Sequence, residues 1–197
     1  FDMKHAVAVT GGPENHLFAD ISAAMGRFYN LPSCSWVSTE SHCPDGQAAL
    51  EKSIGFTTHC LSGVSLIWGI GQLESEMAFS PAQAVIDDEI LRYLHRYRRG
   101  MIVSDDTIAL PVIRAVGIGG DYLSHEHTLM HFREELFEPA ILSRQRREVW
   151  EAEGCLSLTD RAENRVDEIL SRTFTPCITD DQLRELKAIE NRCLATL

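Results

Sequence analysis

The sequence predicts an α/β fold for the first half of the chain and an all-helical extension for the second half. Up to Gly100, short apolar runs of strand length alternate with stretches of helical periodicity, the pattern of a parallel sheet with crossover helices. Beyond Gly100, four helical patterns follow one another without an intervening strand. We therefore expect residues 1–100 to form a β/α unit with two to three parallel strands, and residues 101–197 to form helices that pack on it.

Apolar spacing and turn residues define the elements of the first half. In chain order they are an apolar run (His5–Val9), a helix (Leu17–Phe28), a strand (Ser33–Ser38), a helix (Gln47–Leu61), a strand (Val64–Ile70) and a helix that begins at Pro81 and ends at Gly100. Val64–Ile70 is the clearest strand because it is apolar almost throughout, as in strands covered on both faces. Ser80 and Gln83 have the spacing of a capping box, so the last helix is the best defined.

The second half is predicted to be helical on the same grounds. Its helices are Ser104–Val116, Glu138–Glu153, Thr159–Arg172 and Thr179–Leu197. Pro111 is expected to kink the first of them, since proline lacks the backbone N–H and clashes with the preceding turn. Thr179 and Gln182 form a second capping-box pattern. The glycine-rich segment 117–120 is expected to stop a helix rather than to bind phosphate.

Two or three strands would leave apolar sheet edges exposed, which is unfavourable for a free-standing domain. The pattern therefore favours the last part of a closed β/α barrel over a complete fold. A shortened chain, a naturally split protein or an oligomer that covers the edges would each account for it.

Composition excludes several classes of function. The formal net charge of −11 disfavours nucleic acid and anionic membrane surfaces as partners, because phosphates bind basic patches. No apolar run reaches the roughly 18 residues that cross a bilayer, and the first residues do not have the pattern of a signal peptide. The six cysteines form no CxxC motif. They are expected to be reduced and mostly buried thiols of a cytoplasmic protein.

The loops at the predicted strand ends carry carboxylates. In a β/α barrel these carboxyl-terminal loops, here residues 10–16, 39–47 and 71–76, form the working site. Carboxylates together with aromatic rings suit a cationic ligand, since quaternary ammonium groups are held by ring faces and negative charge. The candidate substrate-binding residues are Trp36, Trp68, Asp45, Gln47, Gln72 and Glu74, and the candidate catalytic residues are His42, Glu40 and Glu14.

Each of these residues also has a structural interpretation. Tryptophans most often belong to a core. Glu14 would stabilise the first turn of a helix, and Asp45 would cap the next one. The coincidence of carboxylates at three strand ends is what favours a site.

His42 is the candidate of most interest, because it lies in the middle of a loop between Glu40 and Asp45 and an imidazole can hydrogen-bond, shuttle a proton or bind metal. Zinc ligation by His42 with the nearby thiols and His59 is conceivable, but no pair has the usual ligand spacing. His127 and His131 share a helix face, yet no HExxH motif is present. We therefore assign no metal to the chain.

The motifs, taken in order, resemble the trimethylamine methyltransferase family. The segments that carry the resemblance are Asp2-Met3, Gly12-Pro13-Glu14, Phe28 to Pro32, Thr39, Asp45 to Ala48, Glu51-Lys52, Ser80-Pro81, Asp88-Glu89, Arg99-Gly100, Gly117 to Gly120, Tyr122-Leu123, His127-Thr128, Phe132-Arg133, Arg144 and Trp150. They span nearly the whole chain. The chain departs from the family pattern at Glu40, where the family has aspartate, and at His42, where the pattern has lysine or another residue.

This resemblance implies the C-terminal part of a TIM-type (β/α)8 barrel followed by a helical extension. It implies that a methylated amine binds in the barrel mouth and gives a methyl group to the Co(I) corrinoid of a partner protein. The chain itself would bind no cofactor. Tyr122, His125 and His127 are expected to face the corrinoid, and the chain is expected to form a homo-oligomer. Two alternatives stay open: a non-catalytic half-barrel that docks a partner, and a barrel enzyme with a metal at His42 or His127.

Overall fold

The computed structural model describes residues 1–173 and 177–195. They fall into two compact units, Phe1–Val166 and Asp167–Leu197. The described helices are α1 (Pro13–Phe28), α2 (Gly46–Ser62), α3 (Pro81–Arg99), α4 (Asp105–Ile108), α5 (Leu110–Val116), α6 (Glu126–Glu135), α7 (Arg147–Ala152), α8 (Leu158–Leu170) and α9 (Asp180–Leu194). The described strands are β1 (Cys34–Trp36), β2 (Leu66–Trp68), β3 (Gln72–Leu73) and β4 (Ala78–Phe79). The predicted division at residue 100, where the β/α pattern ends, stays a prediction.

Strands β1 and β2 form a parallel pair joined by helix α2, so the α/β class is confirmed. Ser35 lies opposite Ile67, and Trp36 lies opposite Trp68. Each strand has three residues and is shorter than predicted. Among the described residues, β1 and β2 pair only with each other, so each strand has one unpaired edge. This limits the length of the ladder.

The two faces of this sheet have different surroundings. Ser35 contacts α2, where its hydroxyl lies 3.0 Å from Nε2 of His59. The next inward residue, Val37, packs with Phe56 and Leu94 in a buried apolar cluster. On the other face the rings of Trp36 and Trp68 pack together, with centroids 5.8 Å apart. That face stays open, and 42% of Trp68 is exposed.

A buried ion pair connects α2, α3 and the segment after β2. Nζ of Lys52 lies 2.5 Å from Oδ2 of Asp87, and both side chains are 0% exposed. Lys52 also donates to the backbone oxygens of Gly69 (2.9 Å) and Gln72 (3.0 Å). Asp87 accepts from the backbone N–H of Gly71 at 2.7 Å and from the Gln83 amide at 2.8 Å.

The two charges of this pair are removed from water, and the hydrogen bonds around them replace the lost hydration. Burial lowers the pKa of the Lys52 ammonium and raises the pKa of the Asp87 carboxyl, while their mutual attraction opposes both shifts. The surrounding hydrogen bonds favour the charged pair, because a buried charge is tolerated when paired and bonded. The segment 69–72 is thereby fixed at the end of β2.

Removal of the Lys52 charge is expected to destabilise the chain strongly. Lys52→Met leaves the Asp87 carboxylate buried without its cation and should lower the free energy of unfolding by about 3–5 kcal/mol. Urea unfolding followed by circular dichroism measures this. Lys52→Met with Asp87→Asn should recover part of the loss, because asparagine stays neutral and still accepts from Gly71.

The matched control is Arg147→Met, which removes one partner of an exposed ion pair at 2.7 Å. It should change stability little, since exposed pairs contribute little. Equal losses for Lys52→Met and Arg147→Met would show that the buried pair has no special role.

The prediction that His5–Val9 is a strand-like run is wrong. The segment forms turns, with a single bridge between Asp2 and Val7. Apolar character alone does not make a strand where no neighbouring strand pairs with it. The sequence also did not indicate the antiparallel hairpin of β3 and β4, in which Gln72 lies opposite Phe79. One turn of 3-10 helix, Glu74–Glu76, closes that hairpin.

Several predicted helix boundaries in the second half are also wrong. Ser104–Val116 is two helices, interrupted at Ala109 with φ of 54°, and Pro111 lies in the first turn of the second helix. Glu138–Glu153 is helical only in α7, because residues 136–146 are irregular, with bends at 136 and 140–142. Helix α6 was not among the predicted elements. The helix stop at Gly117 is confirmed.

Cap signals were more reliable than helix lengths. Asp45 caps α2 by accepting from the N–H of Ala48, and Ser80 caps α3 by accepting from Gln83. The reciprocal half of the box at α3 is absent, because the backbone N–H of Ser80 donates to Gly71 O at 2.9 Å and the Gln83 side chain is turned toward Asp87. The capping box of Thr179 and Gln182 at α9 is confirmed. The predicted helix Thr179–Leu197 extends two residues beyond the described part of the chain.

The expectation of mostly buried cysteines is wrong. Five of the six cysteines are exposed, and Cys60 is partly buried. In residues 1–173 and 177–195, no helix is both long enough and apolar enough to span a bilayer.

Candidate functional site at the strand ends

The loops that follow β1 and β2 are joined by backbone hydrogen bonds. Glu74 N–H donates to Ser41 O at 3.0 Å, and Ser75 N–H donates to Thr39 O at 2.9 Å. The backbone at Glu74, Ser75 and Glu76 has positive φ of 52°, 50° and 79°. Non-glycine residues adopt this conformation when the surrounding structure holds it, and it is common in functional sites.

Glu40 joins the N-terminal segment to this pair of loops. One carboxylate oxygen accepts from the backbone N–H groups of Thr10 (2.6 Å) and Gly11 (2.9 Å). The other accepts from the Ser75 hydroxyl. Burial acts to raise the pKa of Glu40, but these donors outweigh it and hold the pKa below its ordinary value. Glu40 is therefore an anchor that is ionised at neutral pH, with both oxygens occupied.

A second carboxylate, that of Glu51 on α2, accepts hydrogen bonds from the same loop. Its Oε2 accepts from the Thr39 hydroxyl at 2.6 Å and from the backbone N–H of Glu40 at 2.8 Å. Its Oε1 accepts from the Gln47 amide at 3.0 Å. The loop conformation is thus set by carboxylates on both sides.

His42 and Glu74 form the accessible polar pair of the site. Nδ1 of His42 lies 3.0 Å from Oε1 of Glu74, with the two side chains 83% and 40% exposed. An imidazole next to a carboxylate can take up and release a proton while keeping its orientation. This pair is available to a ligand, whereas Glu40 is not.

A cavity of 630 Å³ opens over these groups. It is lined by Asp2, His5, Val7, Ala8, Val9, Glu40, His42, Glu74, Ser75 and Met77. Three carboxylates face two imidazoles there, so the cavity favours a small cation. Asp2 lies 2.7 Å from Nδ1 of His5, a second pair of the same kind.

Three of the predicted residues come together in this cavity, namely Glu40, His42 and Glu74. The others lie elsewhere. Glu14 is exposed in the first turn of α1, and Asp45 is engaged as a helix cap. Trp36 and Trp68 contact each other on the open sheet face, and Gln47 donates to Glu51. Gln72 lies in β3, where its side-chain amide oxygen is buried without a hydrogen-bond partner among the described residues.

The residues expected to face a corrinoid lie in and before α6. His125 caps α6 by accepting from the N–H of His127, and the Tyr122 backbone oxygen accepts from the Thr128 hydroxyl. Nε2 of His127 lies 2.8 Å from the backbone oxygen of Asp106.

Sequence reasoning missed Asp2, His5 and Ser75 in the cavity. Asp2 precedes the predicted run and His5 begins it, and their positions depend on the bridge between Asp2 and Val7 that folds this segment back. Ser75 reaches Glu40 only because of the left-handed backbone around it. The spacing of Asp2 and His5 was the one available signal for a local pair.

A second, more enclosed cavity of 480 Å³ lies between α2 and α3, lined by apolar residues such as Ile86, Ile90 and Leu94. Its one carboxylate, Glu89, already accepts from the backbone N–H of Ala140 at 2.9 Å and from Arg92 at 3.0 Å. No free charge faces this space among the described lining residues, so it is less suited to a cation.

Comparison with known proteins agrees with the motifs. The family model described as trimethylamine methyltransferase matches residues 1–195. The chain belongs to the trimethylamine methyltransferase family. It is 37% identical over 179 residues, 89% of its length, to a trimethylamine methyltransferase of Desulfitobacterium hafniense.

Two further members show the range of relatives in this family. A trimethylamine methyltransferase of Methanosarcina mazei is 33% identical over 193 residues, 98% of this chain. A glycine betaine methyltransferase of Desulfitobacterium hafniense is 32% identical over 189 residues, 95% of this chain. The chain spans 35% of the length of the first relative and 39% of the length of the other two.

Loss of the Glu40 charge should destabilise the strand-end loops without changing the shape of the cavity. Glu40→Gln keeps the shape but replaces charge-assisted hydrogen bonds, so the free energy of unfolding at pH 7 should fall by about 1–2 kcal/mol. The native pKa of Glu40 lies below its unfolded value of about 4.3. Its contribution is therefore fully present above that value and is lost as the pH falls through the native pKa.

Urea unfolding of both proteins between pH 7 and pH 3 measures this dependence. The difference between wild type and Glu40→Gln should be constant above about pH 5 and shrink below it. Glu14→Gln, which alters an exposed carboxylate, should show no such change. A difference that stays constant down to pH 3 would contradict an ionised anchor.

Proposed function

We propose that the chain forms part of an amine methyltransferase that moves a methyl group from a tertiary or quaternary methylamine to the Co(I) corrinoid of a partner protein. The cavity of the strand-end loops would hold the amine. The observation that carries this proposal is the meeting of Glu40, His42 and Glu74 there, in a chain of this family. The C-terminal part of a TIM-type barrel is the architecture that we propose for the parallel β/α unit.

The residues of the chain would act by binding and by proton handling. The corrinoid supplies the nucleophile that accepts the methyl group, so the chain needs no nucleophile of its own. Glu74 and Asp2 provide negative charge for the ammonium group, and Glu40 fixes the loops that carry them. Binding in the cavity would orient the N–CH₃ bond and exclude water.

His42 has a role that depends on the substrate. When the C–N bond of a tertiary amine that is bound in its unprotonated form breaks, the electron pair stays on nitrogen and the departing secondary amine must take up a proton. A quaternary amine departs as a neutral tertiary amine and needs no proton. His42, oriented by Glu74, would donate that proton as a general acid.

Replacement of His42 should therefore separate the two substrate classes. In a polypeptide of the relatives' length that contains this chain, His42→Ala should slow methyl transfer from trimethylamine by about 100-fold or more, the usual contribution of a general acid. Transfer from glycine betaine should change only about two- to threefold, because no proton is needed. The rate is read from the absorbance change of a Co(I) corrinoid protein.

The matched control is His95→Ala, which removes an exposed histidine of α3. It should leave both rates unchanged. Equal losses with both amines would assign His42 to binding alone, and unchanged rates with both would remove it from the reaction.

The helical segment around α6 is the proposed corrinoid-facing part of the chain, through Tyr122, His125 and His127. Tyr122 is 42% exposed, so its ring is open to a partner. Because Co(I) is a strong reductant, we place the reaction in the reducing cytoplasm, where the cysteine thiols would also persist.

A second candidate function is a half-barrel module that docks another polypeptide or a second copy of itself. The open face of β1 and β2 favours it, since 61% of Leu66 and 42% of Trp68 are exposed. Light scattering after size-exclusion chromatography tests this candidate. A stable monomer at micromolar concentration would count against self-association.

A further inference from the structure

Asp106 on α4 lies beside two histidines of α6. Its carboxylate oxygens are 3.7 Å from Nε2 of His127 and 3.2 Å from Nε2 of His131. One possible ligand atom from each residue lies within 4.8 Å of the other two. We infer that Asp106, His127 and His131 bind one divalent transition-metal ion of the zinc type.

The backbone places the two imidazoles for this role. Residues four apart on a helix lie on the same face, one turn apart. The rings of His127 and His131 have centroids 4.4 Å apart and an angle of 42° between their planes. Both are partly buried, at 23% and 31% exposure, so their rotamers are restrained. A pair at this spacing is a known arrangement for zinc.

The donor set selects the class of ion. Two imidazole nitrogens and one carboxylate suit Zn²⁺ and its neighbours, whereas Mg²⁺ and Ca²⁺ prefer oxygen ligands alone. Zinc is bound at about 2.0–2.1 Å from such donors, which places adjacent ligand atoms roughly 3.3 Å apart in a tetrahedron. The observed separations need only small side-chain rotations. Three protein ligands leave the fourth position to water or to another group.

Asp106 is the proposed ligand that the sequence pattern did not indicate. The spacing of His127 and His131 was visible, but no acidic residue followed His127 at the place that HExxH requires. Asp106 is 21 residues before His127 and reaches the pair because the chain turns back after α5. The third ligand is therefore a product of the fold.

Without a metal the same groups form hydrogen bonds that hold α4 against α6. Nε2 of His127 is 2.8 Å from the backbone oxygen of Asp106, where it would donate its proton. Binding of an ion at Nε2 would require the other neutral tautomer, in which the proton lies on Nδ1 and the lone pair of Nε2 faces the ion. The hydrogen-bonded arrangement thus keeps the three side chains close in the unbound chain.

This region has reason to use a metal for stability. None of the residues of α4, α5 and α6, all within the described part of the chain, is buried. An apolar core therefore contributes little to fixing these helices in this chain. A bound ion that joins α4 to α6 would supply a link that apolar burial does not, as in small metal-stabilised domains.

Zinc titration tests the inference directly. The purified chain, dialysed against ZnSO₄ at pH 7.5 and analysed for metal, should retain one equivalent. His131→Gln and Asp106→Asn should each weaken zinc binding by at least about tenfold, the lower bound for loss of a group that supports a metal. Circular dichroism would confirm that both variants are folded.

Six cysteines could also bind zinc, so the ligand type must be identified. Co²⁺ in place of zinc should give visible d–d absorption without a thiolate-to-cobalt charge-transfer band. His95→Gln, an exposed histidine on α3, is the control and should bind as the wild type does. Retention of no zinc, a thiolate band, or full binding by the folded His131→Gln and Asp106→Asn variants would each overturn the inference. None of these outcomes depends on methyl transfer.

Discussion

The buried pair of Lys52 and Asp87 determines the geometry on which the strand-end site depends. Lys52 comes from α2 and Asp87 from α3, and together they hold the backbone of residues 69–72 through three hydrogen bonds. That segment leads directly into the hairpin that carries Glu74 and Ser75. The polar groups of the cavity are therefore positioned by charges that lie outside it. A buried pair with all its partners satisfied favours one arrangement, since any slip of the segment would leave a charge unpaired.

Local signals in the sequence predicted local structure well. Asp45 and Thr179 cap their helices because an N-cap needs only a side chain and backbone N–H groups within one turn. The parallel order of β1 and β2 also follows from local periodicity. Strand length depends on pairing between distant segments, and the hairpin of β3 and β4 depends on the left-handed backbone of Glu74–Glu76; residue spacing encodes neither. Spacing also failed at α7, where the predicted helix is irregular chain over most of its predicted length.

The candidate site shows the same limit at the level of side chains. Position in a strand-end loop was enough to bring Glu40, His42 and Glu74 to one cavity. It could not separate their roles, because those depend on which donors reach each carboxylate. Glu40 has both oxygens occupied and serves as an anchor, whereas Glu74 is half exposed and orients His42. A motif identifies residue types, and the hydrogen-bond partners decide which of them meets a ligand.

The two polar clusters of the chain differ in how they use carboxylates. At the strand ends, backbone N–H groups and a hydroxyl occupy both oxygens of the Glu40 carboxylate, and the His42–Glu74 pair stays accessible. Between α4 and α6, the Asp106 carboxylate faces two imidazoles. Its side chain is exposed, so it is open to a further ligand. A carboxylate that is free of backbone donors and lies beside two imidazoles suits a cation with nitrogen affinity, whereas a carboxylate saturated by donors does not. This difference in saturation is the physical basis of the two proposals, proton handling for the first cluster and metal binding for the second.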